Sequence, residues 1–139
     1  MKEQFQEALQ RDLGRSYFLS EFAELGSGEL EIEHVLEHFE RWSKDISVDS
    51  KVICAPATSK IVNEPFGVAL VMGSWNYPVM TVIQPLTYAI AAGNCAIIKP
   101  SEMAPNVSKL IKQLINSNLD SYVYVVLEGG GEVAATLTI

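Results

Sequence analysis

The sequence predicts an α/β chain: N-terminal helices, a short β segment, then half of a doubly wound parallel sheet. The first third repeats apolar residues at helical spacing, and the region after Pro65 alternates continuous apolar runs with helical stretches. Each of those runs ends in a loop rich in Gly, Pro, Asn or charged residues. Unbroken apolar runs are how strands buried on both faces of a parallel sheet read.

Phe5, Ala8, Leu9 and Leu13 recur at helical spacing, as do Ile32, Val35, Leu36, Phe39 and Trp42. Gly14, or the run Gly26, Ser27, Gly28, is where a helix would be interrupted, each glycine costing about 1 kcal/mol against alanine. Glu29, Glu31, Glu33, Glu37 and Glu40 give the second segment an acidic, solvated face. His34 and His38 lie one turn apart, a spacing compatible with metal binding, but no third ligand is near and both read as partly exposed helix residues.

Residues 44–50 are polar and turn-like, and 51–55 and 59–64 read as short strands, with Pro56 between them and Pro65 closing the second. A strand over 67–72 leads into Gly73, Ser74, Trp75, Asn76, Tyr77 and Pro78, and a helix over about 79–92 is stopped by Gly93 and Asn94. A strand over 95–98, a loop over 99–102, a helix over about 105–117, a strand over 122–127 and a last helical start after Gly129 follow. Crossovers of this length imply parallel strands with right-handed connections. The loops 74–78, 99–102 and 128–131 then share one edge of the sheet, beyond the carboxyl ends of the strands, where such sheets bind small ligands.

A length of 139 residues suits about one domain, and 48% hydrophobic with 19% charged residues fits a soluble globular interior. A net charge of -7 argues against nucleic acid, which needs clustered Lys and Arg. Between Glu64 and Lys99 no residue is charged, a stretch long enough to span a membrane. Asn76, Pro78, Gln84, Pro85, Gly93 and Asn94 divide it into short elements, so no membrane span is expected. Cys54 and Cys95 form no CxxC pair and have no His at metal spacing; they read as reduced thiols of a cytoplasmic protein. Cys95 opens a buried strand and reads as a small hydrophobe. Residues 1–4 carry no signal-peptide character.

Asn76 lies just ahead of Pro78, which suits the first turn of a helix. Its side-chain amide has two readings: a donor beside the positive end of a helix dipole, able to stabilise a developing oxyanion, or a plain helix cap. Trp75 and Tyr77 read as wall residues. Lys99 and Glu102 set a cation and a carboxylate side by side after a strand, either to hold the adjacent hydroxyls of a ribose or as a local ion pair. Gly129, Gly131 and Ala134 match the G-x-G-x-x-A dinucleotide fingerprint after a strand, although the turn alone also explains the glycines.

Taken in order, Glu64-Pro65-Phe66-Gly67-Val68, Trp75-Asn76-Tyr77-Pro78, Ala91-Ala92-Gly93-Asn94-Cys95, Lys99-Pro100-Ser101-Glu102-Met103-Ala104-Pro105 and Val126-Leu127-Glu128-Gly129-Gly130 resemble the aldehyde dehydrogenase superfamily, most closely its class 3, fatty-aldehyde-type branch. The helical part from Glu24, Leu25 and Gly26 to Trp42 follows the same pattern, so the resemblance covers nearly the whole chain. It implies a truncated aldehyde dehydrogenase fold: a helical segment over 1–50, a short strand or oligomerisation segment over 51–66, and a partial Rossmann-like dinucleotide-binding domain over 67–139. It also implies one continuous helix through Gly26.

By the same resemblance, Asn76 is the oxyanion donor to the thiohemiacetal and Tyr77 lines the substrate tunnel. Lys99 and Glu102 hold the adenosine ribose of NAD or NADP, and Ser74, Trp75, Gly129 and Gly130 complete this chain's share of the cofactor site. The implied reaction is oxidation of a small-molecule aldehyde to a carboxylic acid by a parent enzyme, a homodimer. In it a cysteine thiolate attacks the aldehyde, hydride passes to the cofactor, and a glutamate activates water against the thioester. Ser74 departs from the pattern, since proline is usual before the tryptophan. The nucleophilic cysteine and the base glutamate have no counterpart among these residues, so no turnover is expected from them alone. The competing expectation is a naturally short, non-catalytic binding or interaction module built on the same fold.

Overall fold

A computed structural model describes all 139 residues. Helix α1, Lys2–Leu13, buries Phe5, Ala8 and Leu9 and ends at Gly14, whose φ of 65° is the left-handed conformation glycine adopts without strain. The Ser16 hydroxyl accepts the Leu19 amide and opens α2, Tyr17–Ser20. The backbone continues through a wide π-turn, Glu21–Leu25, directly into α3, Gly26–Trp42. The helix is therefore unbroken at its glycines. At Gly26 a Cβ would come within 2.9 Å of the Glu21 carbonyl, so glycine permits the wide turn rather than ending the helix.

The next segment departs from expectation. Strand β1 is Ile46–Val48, inside the stretch that reads as polar turn, and it pairs antiparallel with β2, Ser59–Ile61, in the register Ile46 to Ile61 and Val48 to Ser59. Residues 51–55 are not a strand: Val52–Cys54 form a 3-10 turn, because no neighbouring strand offers them a hydrogen-bonding edge. The second strand likewise stops at Ile61, where the pairing with β1 ends. Asn63 Nδ2 donates to the Trp42 carbonyl at 3.0 Å and ties the end of the hairpin to α3.

From Val68 the predicted alternation holds: β3 Val68–Met72, α4 Met80–Ala91, β4 Cys95–Lys99, α5 Pro105–Asn118, β5 Tyr124–Val126 and α6 Gly131–Leu137. The sheet runs β3-β4-β5, all parallel, with Val71 opposite Ile98 and Ile98 opposite Val126. Gly93, at φ 79°, turns the chain out of α4. The buried Asn94 then accepts the Gly67 amide at 3.0 Å and joins the end of α4 to the start of β3.

One face of the sheet is covered. Val71, Ala96, Ile98 and Val126 pack with Val82 and Leu86 of α4, and with Val107, Ile111 and Ile115 of α5. Those last three recur every four residues, one stripe of the helix, and each is worth about 1.5–3 kcal/mol of burial. A second helical layer covers these crossover helices: α1 packs on α5 and α3 on α4. The other face, with Leu70, Met72 and Val125, is exposed. Cys95 falls on that open side and is exposed rather than buried, because its register partner Val68 is uncovered too. The expected apolar stripe of α3 is only partly inside: Val35 is buried, while Leu36 and Trp42 are exposed because α4 covers just one edge of it. No helix is long and apolar enough to cross a membrane.

Candidate functional site

The loops after β3, β4 and β5 lie at the carboxyl edge of the parallel sheet, as the alternation predicts. The Gly73 amide donates to the Lys99 carbonyl at 2.9 Å and the Leu127 amide to the Ile98 carbonyl at 2.9 Å, so all three loops leave the sheet side by side. A Cβ at Gly73 would meet Val82 Cγ2 at 2.5 Å and Pro100 Cα at 3.5 Å, which makes glycine necessary where the first two loops abut. The Ser74 amide donates to Thr81 Oγ1 at 2.9 Å. A proline at that position has no such amide to give.

Asn76 is exposed at this edge. It does not cap α4, whose N-cap is Val79 and whose own segment contributes no side-chain cap. The cap comes from elsewhere: Glu24 Oε2 accepts the amides of Val79 at 2.8 Å and Met80 at 3.2 Å. Glu24 is 0% exposed, and its other carboxylate oxygen is paired with the guanidinium of Arg15. Arg15 also donates to the Asn76 carbonyl and lies over the Tyr77 ring at 4.8 Å. Burial pushes the Glu24 carboxyl above the usual carboxylate range, against the lowering effect of the two amides and of Arg15. Sequence reasoning gives Arg15 and Glu24 no role. The available signal was an apolar N-cap, Val79, on a helix that leaves its first amides without a partner of their own.

A cleft of about 480 Å³ opens beside Asn76 and is lined by Leu13, Arg15, Leu19, Trp75, Asn76 and Tyr77. Another cleft, of about 530 Å³, is lined by Phe39, Trp42, Val62, Phe66 and Tyr88 and lies toward the opposite end of α4.

Lys99 is 5% exposed, and its ammonium donates to Glu102 Oε2 at 2.7 Å and to the Pro100 carbonyl at 3.3 Å. That hydrogen bond and the adjacent charge hold the Glu102 carboxyl below its ordinary range. The pair predicted from spacing is therefore formed, with the cation inside and the carboxylate facing solvent. Glu128, ahead of the glycines, is held by Ser108 at 3.2 Å and Lys112 at 2.9 Å, which fixes the third loop to α5. A Cβ at Gly129 would sit 2.4 Å from Val133 Cγ2, so this glycine is required by the fold of the turn itself. Neither thiol joins the cluster: Cys95 opens β4 at the opposite edge of the sheet, and Cys54 closes the 3-10 turn of the hairpin segment.

A three-stranded parallel α/β sheet with its polar loops gathered at the carboxyl edge defines the class, half of a doubly wound, Rossmann-like fold. Residues 1–139 match the aldehyde dehydrogenase family, and the chain belongs to that family. It is 40% identical over 131 residues to aldehyde dehydrogenase family 3 member B2 of Mus musculus, covering 94% of this chain and 27% of that protein. It is 42% identical over 131 residues to the 4,4'-diaponeurosporen-aldehyde dehydrogenase of Staphylococcus aureus, covering 94% and 28% respectively. The substrate-bound structure of Staphylococcus aureus AldH superposes with a TM-score of 0.94 at 40% identity, over 98% of this chain and 30% of that one. The chain thus spans less than a third of the length of these relatives.

Proposed function

We propose that this chain contributes the oxyanion donor and part of the cofactor cradle to an NAD(P)-dependent aldehyde dehydrogenase that oxidises an aldehyde to a carboxylic acid. The observation that carries the reading is Asn76. Its exposed side chain stands at the carboxyl edge of the sheet, in the cleft, directly ahead of the N-terminus of α4. An aldehyde carbonyl in that cleft gains negative charge on oxygen when a nucleophile adds to its carbon. An amide donor and the positive end of a helix dipole both favour that charge, and loss of one such donor costs roughly 10²–10³ in rate. Leu13, Leu19, Trp75 and Tyr77 give the cleft apolar walls suited to the body of an apolar aldehyde.

The donor set at Lys99 and Glu102 fits a ribose: an ammonium that donates and a carboxylate that accepts, 2.7 Å apart, at the end of a strand. A nicotinamide dinucleotide bound there supplies the two-electron oxidant. Lys99 and Glu102 orient its sugar, while Gly129 and Gly130 leave the third loop without side chains at the same edge of the sheet as Ser74 and Trp75. The exposed Glu102 carboxylate repels a 2'-phosphate and favours NAD. The β1-β2 hairpin, exposed along both strands, suits the association of two subunits.

Nucleophile and base come from residues outside this chain in this reading. The open sheet face at Leu70, Met72 and Val125 supports it over a free-standing binding module, because an uncovered apolar face is a liability for a protein that works alone. The test is to read the gene beyond the codon for Ile139 and assay its full product with aldehyde and NAD or NADP. We expect a glutamate and a cysteine encoded in frame, activity, and a loss of about 10²-fold on Asn76→Ala. An intact gene product without dehydrogenase activity overturns the reading.

A further inference from the structure

The geometry points to Arg15 and Glu24 as positioning residues for Asn76, setting the conformation of the loop that carries the oxyanion donor; this rests on the reading of Asn76 given above. The loop 76–80 is grasped at both ends by one ion pair. Arg15 donates to the carbonyl of Asn76, and Glu24 accepts the amides of Val79 and Met80 at 2.8 and 3.2 Å. The two side chains are joined to each other and almost wholly buried. Arg15 adds a face-on contact with Tyr77 between the two anchor points, 4.8 Å from the ring centroid.

The chain continues helically through α2, the π-turn that contains Glu24, and α3. Glu24 is thus mounted on a long helical element, and Arg15, in the short linker just ahead of α2, is tied to it by the ion pair. The loop is held from outside itself, which is the way a donor is kept at fixed geometry. Glu24 offers no free group to a substrate, and Arg15, although it lines the cleft, is turned to the protein through each terminal nitrogen. Both carboxylate oxygens of Glu24 are engaged and its side chain is 0% exposed, while both terminal nitrogens of Arg15 already donate. Their action on a reaction therefore passes through the loop. A lysine at 15 keeps the charge but lacks the planar fork that spans Glu24 and the Asn76 carbonyl at once.

The experiment is a double-mutant cycle in the full-length protein, read as the first-turnover rate of cofactor reduction. Arg15→Lys is expected to slow that rate about tenfold, the scale of a small misplacement of a reacting group. In the Asn76→Ala background the same substitution is expected to change it by less than about twofold, because the donor it positions is gone. Cofactor affinity, set at the Lys99 loop, stays as in the parent protein. If Arg15→Lys does not fold, Glu24→Gln, which keeps an acceptor for Val79 and Met80, is read in the same cycle with the same expectation.

An equal loss in both backgrounds overturns the inference and leaves the pair as ordinary scaffold, as does a variant with no loss while Asn76→Ala itself is slow. If Asn76→Ala is silent, the reading of Asn76 falls and this inference falls with it.

Discussion

Asp12 Oδ2 accepts the backbone amide of Val107 at 2.9 Å, so the first helix of the chain caps the helix that follows the second strand of the parallel sheet. Its other oxygen accepts the Asn106 amide at 3.3 Å and the Asn106 side chain. Glu24 does the same for α4. Both crossover helices begin on apolar residues, Val79 and Ala104, and neither has a side-chain cap of its own. The N-terminal helices therefore do more than cover α4 and α5. They supply the carboxylates that satisfy the orphan amides and face the positive ends of the helix dipoles.

Removal of the first cap has a definite consequence. Asp12→Ala is expected to destabilise the chain by about 1 kcal/mol, the usual worth of a cap, with Asp12→Asn costing less because an acceptor remains. In a thermal melt this is a fall of about 2–8 °C, and hydrogen exchange should accelerate first at Asn106 and Val107. Unchanged exchange at those amides would show that water caps α5 equally well.

The second cap titrates. Burial raises the Glu24 carboxyl above its ordinary value, so the folded state holds the proton more tightly than the unfolded chain does. The favourable contribution is then present below the unfolded value and is lost as pH rises through the raised folded one. Glu24→Gln removes that dependence. Relative to the variant, the parent chain should lose melting temperature as pH is raised from about 4 through the raised folded value, then hold a constant difference. Parallel melting curves for the two proteins across that range would contradict the assignment of the raised value to Glu24.

How far the sequence reveals this architecture depends on the range of the forces at each residue. Val107, Ile111 and Ile115 announce α5 because one helix face repeats locally, and Gly93 announces the end of α4 because its left-handed φ is a local demand. Ile46–Val48 is not legible in the sequence because a three-residue strand has little pattern of its own and is defined by its partner Ser59–Ile61. The apolar run at 52–54 is the converse case, with strand composition but no partner, and it forms a turn. Lys99 and Glu102 lie three residues apart, so their pairing could be read from spacing. Arg15 and Glu24 act on Asn76 and Val79 across 61 and 55 residues, and the choice of one glutamate among many is made only when α3 packs on α4.

The Lys99–Glu102 pair yields the last prediction. The ammonium of Lys99 holds the Glu102 carboxyl down, first by a direct hydrogen bond and then by its charge. A lowered carboxylate contributes stability that is present above its unfolded value and lost as pH falls through the folded one, but Glu102 faces solvent and that contribution is small. The decisive readout is the titration itself. In Lys99→Met the Glu102 side-chain carbon resonance should titrate closer to an ordinary glutamate, while melting changes little. In the full-length protein the same variant should weaken NAD binding by roughly tenfold or more, the worth of a charge-assisted hydrogen bond at about 1.5–3 kcal/mol. If the titration moves and NAD affinity does not, the pair is a local ion pair and the ribose lies elsewhere on the loop edge. If affinity falls and the titration stays, Lys99 binds the cofactor without Glu102, and selection against a 2'-phosphate must rest on another group.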